Sequence, residues 1–183
     1  MKLHSTICAA CLSATSLYAG TNATVAVEQI YHLAGDHLAF GTIYLKGSDR
    51  ITTKASFKPP VEITIVAKTE SNLRMAYAAD QVIFNWAHNP TQLRMDGGPA
   101  DGQHKYGAGQ IPKNKFVTIK WIVRPDQQDI FVDGELRLQH RGNYSAIDRP
   151  VSVFCEKSKV AVTSIKVRDL SDQAAANTPG THH

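Results

Sequence analysis

The stretch KFVTIKWIVRPDQQDIFVDGELRL, Lys115 to Leu138, limits what this chain can fold into more than any other. Val117, Ile119, Trp121 and Val123 fall on one side of an extended backbone, with Thr118 and Lys120 on the other. An apolar period of two is the signature of a strand buried on one face. Pro125 and Asp126 stop the run, and Asp129 to Val132 resume it. Asp133-Gly134 is a two-residue turn of the type that matches strand twist, so Glu135 to Leu138 is expected to return antiparallel. Three strands of a meander are legible from the letters alone.

The same period recurs along the chain. Glu28 to Leu33 and His37 to Leu45 read as strands, with Gly35-Asp36 between them and a turn at Gly47-Ser48-Asp49. Ile51 to Phe57 ends at Pro59-Pro60, and Val61, Ile63, Ile65 and Ala67 then alternate with Glu62, Thr64, Val66 and Lys68. Further strands are expected at Asn72 to Ala78, Gln81 to Ala87, Gln92 to Asp96, Pro150 to Cys155 and Lys159 to Leu170, with loops at Asp96 to Ile111 and Gly142 to Arg149. About a dozen strands at intervals of roughly 8–12 residues, with no helical period, predict an all-β antiparallel two-sheet β-sandwich or barrel.

A length of 183 residues suits one domain, and 43% hydrophobic residues are ample for its core. The N-terminus reads differently from the rest. Lys2 is followed by the mostly apolar or small run Ile7 to Ala19, and Thr21-Asn22-Ala23 puts small residues where a signal peptidase reads. Residues 1–23 are therefore expected to be a secretory signal peptide, 24–170 the sandwich, and 171–183 a disordered tail. The apolar run is too short for a membrane anchor, and the hydrophobic stretch before Cys11 is too short for the lipoprotein signal that Cys11 suggests; the competing reading is an N-terminal core strand or helix. Cleavage would remove Cys8 and Cys11 and leave Cys155 as a buried, inert thiol in a secreted or periplasmic chain with no internal disulfide. The charge of +4 falls to +3 without Lys2. Its scattered basic residues show no aromatic-interleaved stripe, which argues against nucleic acid. His182 and His183 in the tail are too few ligands for a designed metal site.

The order ITTKASFKPPVEITIVAKT, FVTIKWIVRPDQQDIFVDGELRL, RPVSVFCEKSKVAVTSIKVRDL resembles the concanavalin A-like lectin and glucanase jelly rolls. Within them it is most similar to the laminin-G-like and 3-keto-disaccharide hydrolase type domains of exported bacterial proteins. Asp133-Gly134 matches the late "vyvDG" turn, and Ile165 to Leu170 the closing strand. The resemblance covers roughly residues 36 to 170, and its motifs are turns and strands, so it implies a fold more than a chemistry.

A hairpin turn centred on Ala79-Asp80 predicts pairs Tyr77–Val82, Met75–Phe84 and Leu73–Trp86, which puts all six side chains on one face, expected to be the core; for Trp86 the alternative is a sugar-stacking platform. The opposite face then carries Arg74, Asn85, Arg94 and Asp96. Their fixed donor and acceptor pairs suit sugar hydroxyls; cross-strand polar pairing on a solvated face is the alternative. His88, His104 and Tyr106 rim this face on loops long enough to be binding loops. Asp96 and Asp101 are the candidates for a calcium ion, although two carboxylates are few and their spacing is not that of a calcium loop; no other cofactor is expected. The Glu-x-Asp-x-x-Glu triplet by which retaining glucanases of this fold resemble one another is missing, as are other catalytic motifs. The reading favoured is a carbohydrate-binding domain. The alternatives are a glycoside hydrolase of the 3-keto-disaccharide type, using Asp96, His88 and His104, and a structural or partner-binding sandwich.

Overall fold

The computed structural model describes residues 23–25, 30–32, 37–39 and 41–171. The expected leader before residue 23 and the tail beyond residue 171 lie outside them.

Fifteen strands follow in order among the described residues: β1 Ala23–Val25, β2 Ile30–His32, β3 His37–Ala39, β4 Thr42–Gly47, β5 Arg50–Phe57, β6 Val61–Thr69, β7 Leu73–Ala76, β8 Gln81–Phe84, β9 Leu93–Asp96, β10 His104–Lys105, β11 Val117–Arg124, β12 Gln127–Val132, β13 Glu135–Arg141, β14 Arg149–Phe154 and β15 Ser158–Asp169. They form two antiparallel sheets. One runs β13-β12-β11-β6-β15-β4-β3, with β1 also paired to β15; the other runs β10-β9-β8-β7-β14-β5-β2. The expected sandwich is present, and the first two predicted strands are finer in detail. The second breaks at Gly41, which takes φ +74°, and the two halves become the hairpin β3–β4. β2 pairs with β5 in the other sheet.

The central meander forms as the alternation predicts. Val117, Ile119, Trp121 and Val123 are buried and lie beside Val61, Ile63, Ile65 and Ala67 of β6. Asp133 and Gly134 both take positive φ, 49° and 85°, as the turn requires. The Asp133 carboxylate accepts the Thr118 N–H at 2.8 Å, which locks the turn onto β11. β15 keeps its apolar side inward over twelve residues only because Thr163 is bulged: Val162 faces Ala67 and Ser164 faces Val66. Val160 and Val162 before the bulge, and Ile165 and Val167 after it, are all buried.

Between the sheets the Trp121 indole N–H donates to Gln128 Oε1 at 2.8 Å, both side chains being fully buried. Tyr77 packs edge-on against Trp121, with ring centres 6.1 Å apart, and its hydroxyl donates to the Phe57 carbonyl. Burying a tyrosine or tryptophan with its polar tip satisfied keeps the hydrophobic gain without an orphaned donor. Cys155 is a buried free thiol whose pKa is pushed up to about 11, first by desolvation and then by the nearby Asp49 charge.

Candidate functional site

The outer face of the seven-stranded sheet carries most of the residues singled out in sequence. The β7–β8 register differs from the expected one by two residues: Leu73 faces Phe84, Arg74 faces Ile83 and Met75 faces Val82. Tyr77 to Asp80 form the turn. A shift of two preserves the face of every side chain, so Leu73, Met75, Tyr77, Val82 and Phe84 are buried as predicted. Trp86 is the exception and corrects the expectation that it lies in the core. Asn85 takes φ +51°, and a left-handed residue ends the pleat that would have turned Trp86 inward. Trp86 instead starts a tight turn closed by the Asn89 N–H to Trp86 carbonyl bond, and is half-buried on the outside.

Asn85 is not on the polar face. It is buried, donates to the Ser71 and Ile111 carbonyls at 2.9 and 3.1 Å, and accepts the Ile111 N–H at 3.0 Å. Its side chain fastens the 106–112 loop to the sheet, and both of its amide hydrogens are spent on protein carbonyls.

The remaining predicted residues converge. Successive ladder partners put Arg50, Phe154, Arg74, Ile83, Arg94 and His104 in one row across β5, β14, β7, β8, β9 and β10. At the usual strand spacing that row is about 24 Å long. The Arg50 guanidinium lies 3.7 Å from the Phe154 ring centre, and that of Arg94 lies 4.6 Å from the Trp86 ring centre. Ile83 faces outward yet is only 2% exposed. Arg74 and Arg94 flank it, and their aliphatic stems are long enough to cover it.

A second tier of contacts joins the row into a network. Arg74 is paired with Glu156, and its other terminal nitrogen donates to Gln81 Oε1 at 2.7 Å. Gln81 Nε2 donates to Asp96 Oδ2 at 2.6 Å, and Arg94 Nε donates to Asp96 Oδ1 at 2.7 Å. Each member is thereby held in one orientation, the condition for a surface that recognises rather than merely solvates. Alternation puts Gln81 on this face, but neither its bond to Asp96 nor the part of Glu156 was legible. Gln81 joins only because the true register sets it opposite Asp96, and Glu156 lies in the turn after β14.

His88 and His104 are exposed and both lie beside Trp86, at ring-centre distances of 5.2 and 5.5 Å. His104 is delivered by β10, a two-residue edge strand inside the predicted long loop, which pairs it with Arg94. The same loop is pressed onto the β7–β8 turn at Gly98, where a Cβ would meet the Ala78 carbonyl oxygen at 2.2 Å. Tyr106 is 73% exposed. Asp101 accepts the Gly97 N–H at 2.6 Å, and both oxygens of Asp96 already accept protein donors. Among the described residues no group of three His, Cys, Asp or Glu side chains could hold a metal.

No protein-family model matches the chain, and no curated protein matches it. Solved structures do. The carbohydrate-binding module CBM66 from Bacillus subtilis aligns with a TM-score of 0.60 at 9% identity, over 77% of this chain and 96% of its own. The exoplasmic/lumenal domain of VIP36, named in its calcium- and mannose-bound form, aligns with a TM-score of 0.62 at 7% identity, over 84% and 86%. An endo-β-1,3-glucanase from Pyrococcus furiosus aligns with a TM-score of 0.54 at 14% identity, over 73% and 77%. At these identities the likeness is one of fold: the chain has the concanavalin A-like jelly-roll sandwich that the sequence resemblance implied.

Proposed function

We propose that this protein is an exported carbohydrate-binding domain that takes its ligand on the outer face of the seven-stranded sheet, against Trp86, Arg94, Asp96, Arg74, His88 and His104. The observation that carries this reading is Trp86 held outside the core, with Arg94 on its ring and two histidines beside it. An aromatic ring supplies an apolar surface for the C–H face of a sugar. Arg94, Asp96 and Gln81, already oriented by one another, supply donors and acceptors to its hydroxyls. Two of the solved structures similar in fold are named for carbohydrate or mannose binding. No helix among the described residues is long and apolar enough to cross a membrane, and export rests on the signal-like N-terminus.

The test is a glycan-array screen followed by titration calorimetry of any hit. Trp86→Ala and Arg94→Ala should each weaken binding by about 1–3 kcal/mol, since a partner hydroxyl or ring face is left unpaired. A glycan bound equally well by both variants places the site elsewhere. Hydrolysis of the bound glycan would favour the hydrolase reading instead.

A further inference from the structure

The outer face of the other sheet holds a second, independent feature. Tyr44, Ala161 and Lys68 are consecutive partners across β4, β15 and β6. Phe116, just before the Val117–Ala67 pair, comes next in that row, and the Lys68 ammonium lies 5.0 Å from its ring centre. The two aromatic side chains at the ends of the row are 46% and 40% exposed, whereas Ala161 between them is 3% exposed. The small Ala161 beside the large Tyr44 leaves a depression, with Lys68 on its far side. The Tyr44 end, with Ala161 and Lys68, opens into a cleft of about 240 Å³ to which Lys46, Lys159, Glu70 and Asn114 also contribute, and Phe116 stands just outside it, beyond Lys68. From Tyr44 to Phe116 is three strand spacings, about 14 Å.

Charge on this face is unevenly matched. Glu62 is paired with both Lys120 and Arg168, at 3.4 and 3.0 Å, and Asp129 with Arg124 at 2.7 Å. Within the cleft Glu70 pairs with Lys159 at 3.2 Å. No carboxylate among the described residues is paired with Lys46 or Lys68, so the cleft keeps an excess of positive charge beside two exposed rings. A single inorganic anion would not use the rings. A densely charged polyphosphate would meet Glu70, which repels it but accepts hydrogen bonds from hydroxyls. A chain of sugar rings bearing spaced negative groups satisfies all three features: rings for Tyr44 and Phe116, anions for the lysines, hydroxyls for Glu70 and Asn114.

We propose that the cleft beside Tyr44, continued past Lys68 by the exposed Phe116 ring, is a binding site for an acidic polysaccharide, separate from the Trp86 face on the opposite sheet. It does not depend on the Trp86 site being functional.

The experiment uses the full chain with polygalacturonate, dextran sulfate and neutral dextran as probes, read by calorimetry or affinity electrophoresis over a range of salt concentrations. Wild type should bind at least one of the two acidic chains and not neutral dextran. Lys46→Gln combined with Lys68→Gln should weaken that binding at least fivefold and flatten its salt dependence by about one to two released ions. Phe116→Ala should weaken it as well. Lys120→Gln combined with Arg168→Gln removes the same charge elsewhere on the face and should change affinity less than twofold. Trp86→Ala should leave it intact. Circular dichroism and thermal melts verify that each variant is folded. Equal losses from the two lysine/arginine pairs, equally tight and Phe116-independent binding of duplex DNA or anionic vesicles, or no binding to either acidic chain would each overturn the proposal.

Discussion

Leu73 faces Phe84 across the β7–β8 ladder, and that pairing leaves Trp86 two residues beyond the last paired position. Had Leu73 faced Trp86, the indole would have filled the core and the outer face would have lost its only tryptophan. The residue that decides the matter is Asn85, whose φ of +51° ends the strand.

Trp86→Ala should therefore cost little stability. A fully buried aromatic truncation costs about 3–5 kcal/mol. For Trp86 the loss is limited to partial burial and its contact with Arg94, about 1 kcal/mol. Urea denaturation of the variant measures it, and a loss in the range of a buried aromatic would return Trp86 to the core.

Asn85→Ala should behave in the opposite way. It removes the acceptor of the buried Ile111 N–H, the donor to two carbonyls, and a residue tolerant of positive φ. The combined cost is about 2–4 kcal/mol. Asn85→Gly restores the backbone freedom but not the hydrogen bonds, and should fall between wild type and Asn85→Ala in the same denaturation series.

Cys155 should not react with a thiol reagent in the folded protein at pH 8. It is 2% exposed, and its pKa stands near 11, so the thiolate is scarce and shielded. Full labelling should appear only in denaturant. Rapid labelling without denaturant would show that the β14–β15 turn opens readily.

Stability should fall at alkaline pH. Burial pushes the Tyr144 hydroxyl up to about 12 and raises that of Tyr77 as well, the Asp148 charge adding to the latter. Above pH 10 the unfolded chain loses these protons while the folded chain keeps them. The unfolded state then binds fewer protons, and unfolding becomes easier as pH rises. Below pH 10 these two groups contribute no slope. Melting temperatures between pH 8 and 12 should be flat at first and then decline; replacing either tyrosine by Phe should reduce the decline.

Much of this protein follows from its letters because the constraint is local. Alternation in Val117 to Val123 and Val61 to Ala67 decides which faces are buried, and Asp133-Gly134 decides how the meander turns, since each depends only on near neighbours and on backbone geometry. The shared face of Arg74 and Arg94 was readable for the same reason: a register error of two leaves a side chain within the strands on its own side, whereas His88 and His104 were legible only as loop residues near that face. What tertiary structure alone decided is non-local. Asn85 takes its left-handed conformation while the distant Ile111 backbone both donates to its side chain and accepts from it. Glu156 meets Arg74 because β14 lies beside β7, and Tyr44 shares a row with Lys68 because β15 runs between β4 and β6. Strand order across a sandwich is settled by which faces pack together over the whole core, and no window of sequence contains that sum.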